Sequence, residues 1–277
     1  MITMTIKEAM MSSSLPRLEI RMLLEAVLNK PRTWLIAHDD EMLTEQQAQV
    51  FYIMVARRTA GVPMAYLLGT REFMGLTFCV SPHVLIPRPD TETVVNKAIE
   101  VVREHALTKV LDLGTGSGVI AISIAKACPN IQVDATDCSA EALGIAQLNA
   151  ECLAVQVNWF HGDWYQALGV QAERYDLIVS NPPYIHRDDA HLAQGDLRFE
   201  PPQALTDGAD GLSALKHIIE QAPNWLKPGG KLWVEHGYDQ ALQVQALFIK
   251  VGFNGVQTLK DLGEKPRATG GYLVTSA

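Results

Sequence analysis

The hydrophobic rhythm of the chain changes twice. Over the first 65 or so residues apolar positions recur at helical spacing. Leu18, Met22, Leu23, Ala26 and Val27 follow Pro16, and Asn29-Lys30-Pro31 closes that segment. Thr44, with Gln47 three positions on, forms a capping box that opens a helix running to about Arg58-Thr59, where Gly61 and Pro63 stop it. This pattern predicts a small helical bundle over residues 1–65. Residues 66–92 read as a connector. Aromatic and β-branched residues flank Met74-Gly75 within 71–80, which predicts a hairpin, and two prolines keep 84–92 extended. Asp90 or Thr91 is placed to cap a helix reaching Glu104. From 93 to 277 the rhythm alternates. Apolar runs at 109–113, 131–136, 155–160, 175–180 and 231–235, and two more near 255–259 and 271–275, are separated by helical segments such as 118–127 and 139–150. Such alternation predicts an α/β domain whose parallel sheet is covered on both faces by right-handed crossovers.

Composition narrows the classes of function. Hydrophobic residues are 48% of the chain and charged residues 19%, enough for a sizeable core and incompatible with wholesale disorder. The net charge of −8 lowers the expectation of binding to naked nucleic acid, which phosphate-neutralising cations dominate. Cys79, Cys128, Cys138 and Cys152 form no C-x-x-C pair and have no histidine at zinc-ligand spacing, so reduced structural thiols and no metal are expected. The first residues lack the apolar run of a signal peptide, and no stretch of ~18 apolar residues exists to span a membrane. The expectation is a cytoplasmic monomer that does not touch membranes.

Two motifs carry chemistry. Asp112-Leu113-Gly114-Thr115-Gly116-Ser117-Gly118 sits where the first strand of the sheet meets its first helix, at the strand's carboxyl end, where open α/β sheets bind ligands. The glycines let the backbone turn sharply and approach a ligand, and the helix N-terminus offers N–H groups to an anion. A dinucleotide fingerprint would need glycine at 119, which is Val119; the D-x-G-x-G-x-G form is that of S-adenosylmethionine sites, the anion being the methionine carboxylate. Asp137 ends the second strand, where it can accept both ribose hydroxyls, or merely cap the helix after Ser139. After the third strand Asp163 can accept an adenine amino group and Trp164 can lie on the purine face, or pack in the core. Seven strands with this loop suit the Rossmann-like class I methyltransferase sheet. The antiparallel last strand of that fold is a property of the fold type, not of the pattern.

The second motif is Asn181-Pro182-Pro183-Tyr184, at the end of the fourth strand. Two prolines fix φ and donate nothing, so the turn is rigid and its carbonyls are free. The Asn181 side-chain oxygen and the Pro182 carbonyl can grip both hydrogens of one NH₂ group, and Tyr184 can stack on the plane that bears it. A delocalised nitrogen is a poor nucleophile. Two acceptors favour its pyramidal form, and alignment with the methyl donor supplies most of the rest. The motif by itself does not choose among an adenine N6, a guanine N2 and a glutamine amide.

Residues 61–95 (GVPMAYLLGTREFMGLTFCVSPHVLIPRPDTETVV) resemble the signature of the release-factor glutamine N5-methyltransferases, the HemK/PrmC family. DLGTGSG at 112–118, SNPPYI at 180–185 and RFEPPQALTDGADGL at 198–212 follow in the family's order. The resemblance implies that the acceptor is the glutamine of the Gly-Gly-Gln motif in peptide chain release factors, with S-adenosylmethionine as methyl donor. Gly114, Thr115, Gly116, Ser117, Gly118, Asp137, Asp163 and Trp164 would hold the donor, and Asn181 to Tyr184 the amide, with Asn181 also near the methyl group. The helical N-terminus would dock the release factor, and Arg88, Asp90, Thr91 and Glu92 would line the entrance, unless they form a helix cap and a surface ion pair. Glu235-His236-Gly237 departs from the usual Glu-x-Gly with an apolar middle residue; His236 could support the site from behind, but a solvated loop histidine is the reading preferred. Thr258–Gly271 matches weakly and is expected to lie far from the chemistry. The competing readings are an RNA or DNA amino-methyltransferase, which needs base flipping and a basic channel, and a non-catalytic nucleotide-binding protein, which has no use for the N-P-P-Y turn.

Overall fold

Helix capping and apolar spacing build the N-terminal part of the computed structural model, which describes residues 4–169 and 173–274. The chain divides into two compact units, Met1–Thr70 and Arg71–Ala277. The first contains α1 (Ile6–Met11), α2 (Arg17–Leu28), α3 (Arg32–Ala37), α4 (Glu45–Thr59) and α5 (Met64–Leu68). Thr44 and Gln47 cap α4 reciprocally, as their spacing predicts. Asn29 ends α2 in the left-handed conformation. Ile20, Leu23 and Leu24 of α2 pack with Ile6, Leu35 and Phe51. The buried stripe is therefore shifted from the expected one, because Leu18 is exposed and Ile20 and Leu24 turn inward. Arg58 grips both carboxylate oxygens of Glu19 at 2.7 and 2.8 Å, tying α4 to α2.

The second unit opens with a hairpin, β1 (Thr70–Phe73) and β2 (Leu76–Cys79). Met74 and Gly75 both have positive φ, 50° and 74°, the turn that matches strand twist. A single 3₁₀ turn, Pro89–Thr91, leads into α6 (Glu92–Glu104). Neither Asp90 nor Thr91 caps α6 with its side chain, contrary to expectation. Asp90 pairs with Arg267 and Thr91 bonds Asn181.

The sheet has the strands β3 (Lys109–Leu113), β4 (Gln132–Asp137), β5 (Asn158–His161), β6 (Tyr175–Ser180), β7 (Leu226–Glu235), β8 (Phe253–Lys260) and β9 (Pro266–Leu273), ordered β5-β4-β3-β6-β7-β9-β8. The β5-β4-β3-β6-β7 pairings are parallel, and β9 runs antiparallel to both its neighbours. Crossovers run through α7 (Val119–Ala127), α8 (Ala140–Cys152), α9 (Pro202–Leu205), α10 (Ser213–Trp225) and α11 (Ala241–Val251). Alternate residues of each strand enter opposite cores. Val110 and Val179 join Val94, Val102, Ile122 and Ala121 of α6 and α7, whereas Leu111, Leu113 and Ile178 join Leu215, Ile218 and Phe248 of α10 and α11.

Three strands differ from expectation by three residues or more at one end, and of these the fifth begins at Leu226 rather than 231. The third begins at Asn158 rather than 155, since Val155 and Val157 pack on the core without joining the ladder. The seventh spans Pro266–Leu273 rather than 271–275, and Thr275 lies outside the described residues. Strand order reverses between β3 and β6, so the carboxyl ends of β3, β4, β6 and β7 open on one crevice.

Candidate active site

The loop after β3 is fixed by hydrogen bonds from outside itself. Gly114 and Thr115 both donate their N–H to the Thr136 carbonyl at 2.9 Å. Gly116 N–H donates to Asp137 Oδ2, and Ser139 N–H to Asp137 Oδ1, each at 2.8 Å. Asp137 is thus clasped by backbone donors at the end of β4, and burial nonetheless pushes its carboxyl above the ordinary range. Ser139 itself caps α8, so Asp137 is not that helix's cap. Gly114 has φ +70°, and a Cβ there would stand 3.0 Å from the Trp164 ring. Trp164 therefore lies over the glycine loop, while Asp163 makes no capping bond to the turn that follows it. Gly118, at φ +83°, is the N-cap of α7 and packs against Ile122 and Ala146.

These residues surround a cleft of about 920 Å³, its open mouth included. Gly114, Thr115, Gly116, Ser117, Asp137, Asp163, Trp164 and Asn181 all line it; Gly118 does not. Behind the loop Asp112 is wholly buried. Its Oδ2 accepts from Thr115 Oγ1 at 2.7 Å and Ala121 N–H at 3.2 Å, Oδ1 has no partner, and desolvation pushes its pKa up to about 7. The cleft fits a nucleoside bearing an amino-acid tail: its acid stands at a strand end, and its indole covers a glycine at φ +70°, where a Cβ would crowd the ring.

Ser180 Oγ donates to the Leu113 carbonyl at 2.7 Å, which sets the Asn181–Tyr184 turn beside the glycine loop. A second cavity of about 690 Å³, mouth included, lies on the other side of that turn. Asn181, Leu85, Arg88 and Ala204 line both cavities, Pro183 the first, and Pro182, Tyr184 and Glu235 the second. Asn181 Nδ2 donates to Thr91 Oγ1 at 3.1 Å. Tyr184 OH donates to Glu235 Oε1 at 3.0 Å, and burial beside that carboxylate holds the phenol well above its ordinary pKa. Arg88 pairs with buried Glu200, which also accepts Ile86 N–H at 3.0 Å. Glu92 lines neither cavity; its carboxylate accepts the Met74 N–H of the hairpin turn at 3.3 Å.

Several residues were not legible beforehand. His236 is fully buried, which overturns the expectation of a solvated loop. Its Nδ1 donates to the Gly237 carbonyl, Nε2 accepts from Thr269 at 2.8 Å, and desolvation lowers its pKa, so the ring is neutral. Arg267 overturns the expected remoteness of Thr258–Gly271, because it reaches Asp90 at 3.2 Å and Asp261 at 3.0 Å. Asn149 joins the hairpin to the glycine loop, donating to Cys79 and Ser117 carbonyls at 3.0 and 2.9 Å and accepting Cys79 N–H at 2.6 Å. Gly211, at φ +78°, has the Tyr184 carbonyl where a Cβ would stand.

A seven-stranded sheet with β9 inserted antiparallel, and its glycine loop at the reversal of strand order, is the class I methyltransferase fold. The methyltransferase small domain matches residues 94–208, and the PrmC N-terminal domain residues 5–69. A methyltransferase from Pyrococcus furiosus shares the fold at a TM-score of 0.54 and 20% identity, over 79% of this chain and 97% of that one. The chain belongs to the release factor glutamine methyltransferase family. It is 53% identical to the Bordetella pertussis member over 97% of this chain and 99% of the relative, and 46% identical to the Burkholderia pseudomallei member over 97% and 96%.

Proposed function

We propose that this chain transfers a methyl group from S-adenosylmethionine to the side-chain N5 of the glutamine in the Gly-Gly-Gln motif of peptide chain release factors. The observation that carries the reading is Asn181, the first residue of the rigid turn, standing between the two cavities. The donor belongs in the cleft bordered by Gly114–Ser117, Asp137, Asp163 and Trp164, where, when bound, it supplies an electrophilic sulfonium methyl. With its Nδ2 committed to Thr91, Asn181 keeps Oδ1 to accept one amide hydrogen, and the Pro182 carbonyl takes the other. The amide nitrogen is pyramidalised and aimed, and its proton leaves after transfer, so no strong base is required. Tyr184 closes the acceptor side, and Arg88 stands at both mouths.

The remaining assignments are part of the same proposal. Residues 1–65 dock the release factor, 66–92 connect, and 93–277 carry catalysis. The enzyme works as a monomer in the cytoplasm, where release factors act, and makes no direct contact with nucleic acid, in keeping with its −8 charge. No helix among the described residues is long and apolar enough to cross a membrane.

Labelled methyl transfer tests the function. Purified release factor should take label, whereas its Gly-Gly-Gln→Gly-Gly-Ala variant, bulk RNA and DNA should not. Label on nucleic acid with none on protein would sink the acceptor assignment. A second expectation concerns the donor: Asp137→Ala should raise the S-adenosylmethionine dissociation constant about 10- to 100-fold, since a charge-assisted acceptor and the clasp on Gly116 are lost together. An unaltered constant, measured by calorimetry, would place the ribose contact elsewhere.

A further inference from the structure

The primary amide of Asn181 has two ends of nearly equal shape and opposite polarity. Turned over, it would present an NH₂ to the acceptor cavity and repel the hydrogens it is meant to bind. Its bond to Thr91 does not by itself fix the orientation, because a hydroxyl both donates and accepts. What stands behind Thr91 decides the polarity. Thr91 is 2% exposed and Glu235 1% exposed, and the threonine hydroxyl faces the carboxylate, favouring its charged form. Glu235 Oε1 already accepts from Tyr184, whereas Oε2 is buried without a hydrogen-bond partner. An ionised carboxylate only accepts. It draws the Thr91 hydrogen toward itself, so Thr91 Oγ1 must accept, and only the nitrogen end of Asn181 can supply that bond.

We infer, on the function proposed above, that Thr91 and Glu235 are positioning residues: the buried carboxylate sets the direction of the hydrogen-bond chain that holds the Asn181 oxygen toward the substrate amide. The same carboxylate orients Tyr184, so both ends of the Asn181–Tyr184 turn refer to one anion. Groups from each neighbouring element face it: Tyr184 after β6, Thr91 and Asp90 before α6, and Arg267 on β9, itself paired with Asp90 and Asp261. His236, next in the chain, is turned away to Gly237 and Thr269. Burial pushes Glu235 up to about 7. Below that pH a protonated Glu235 can donate to Thr91, Thr91 can donate in turn, and the amide loses its fixed sense.

The test uses the whole chain, release factor as acceptor, and kcat, KM and the donor dissociation constant across pH 5.5–9. Thr91→Val, the same shape without a hydroxyl, should lower kcat about 10- to 100-fold with KM and donor affinity little changed, and Thr91→Ser should restore most of it. Glu235→Gln should be slow at every pH and lose the step near pH 7 through which wild-type kcat rises. A wild-type rate without such a step, a Thr91→Val enzyme as fast as wild type, or equal losses in Thr91→Val and Thr91→Ser would overturn the inference. A wild-type enzyme that labels no release factor would instead overturn the function on which it rests.

Discussion

Asn181→Ala is expected to lower turnover about 100- to 1000-fold, the usual cost of removing one preorganised hydrogen-bond partner at a reacting centre. Donor affinity should be nearly unchanged. The asymmetry follows from geometry. The glycine loop is held by Thr136, Asp137 and Asn149, none of which depends on Asn181. The alanine methyl also leaves the Pro182-Pro183 backbone, fixed by its own φ, where it was. What disappears is one of two acceptors for the amide hydrogens, an interaction strengthened as the nitrogen pyramidalises, so kcat and kcat/KM should fall together. Single-turnover methyl transfer checks this, with calorimetry for the donor. A fall confined to KM would mean that Asn181 only helps to seat the substrate.

What the sequence disclosed and what it hid divide by distance along the chain. The Thr44–Gln47 box and the Met74-Gly75 turn are local, decided within a few residues, and both stand where the pattern puts them. The glycine loop was legible for the same reason: its backbone demands are written in consecutive residues. The first half of strand β9 was hidden because Pro266 and Gly270 read as loop. Gly270 is in fact required by the Trp233 ring, which occupies the space a Cβ would take. Thr91, Asn181, Glu235 and Arg267 come from four separate elements, and no spacing rule connects them. Charge did not reveal Glu235 or Asp112 either, because an acid in an apolar strand looks alike whether it faces water or lies buried behind the site.

Asp112→Asn should produce stability curves that cross with pH. The folded protein raises Asp112 from the ordinary 3.8 to about 7. Between those values it holds a proton that the unfolded chain releases, so wild-type stability falls as pH rises through this window. At ~1.4 kcal/mol per pH unit the fall attributable to Asp112 is about 4 kcal/mol by pH 8. Glu235, raised from 4.5 to about 7, adds a slope of the same sign, but the variant retains it, so the difference between the proteins isolates Asp112. Asparagine keeps an oxygen for Thr115 and Ala121 but puts an NH₂ where Oδ1 has no partner, a cost of about 1–3 kcal/mol at every pH. The variant should therefore melt below wild type near pH 4, where little of that fall has occurred, and above it at pH 8. Each ~1 kcal/mol is worth roughly 2–4 °C in a chain of this size. Thermal denaturation of both proteins without donor, across that range, decides the matter. A constant offset would mean that Asp112 is already ionised in the fold, and that the glycine loop is built around a buried charge instead of a shared proton.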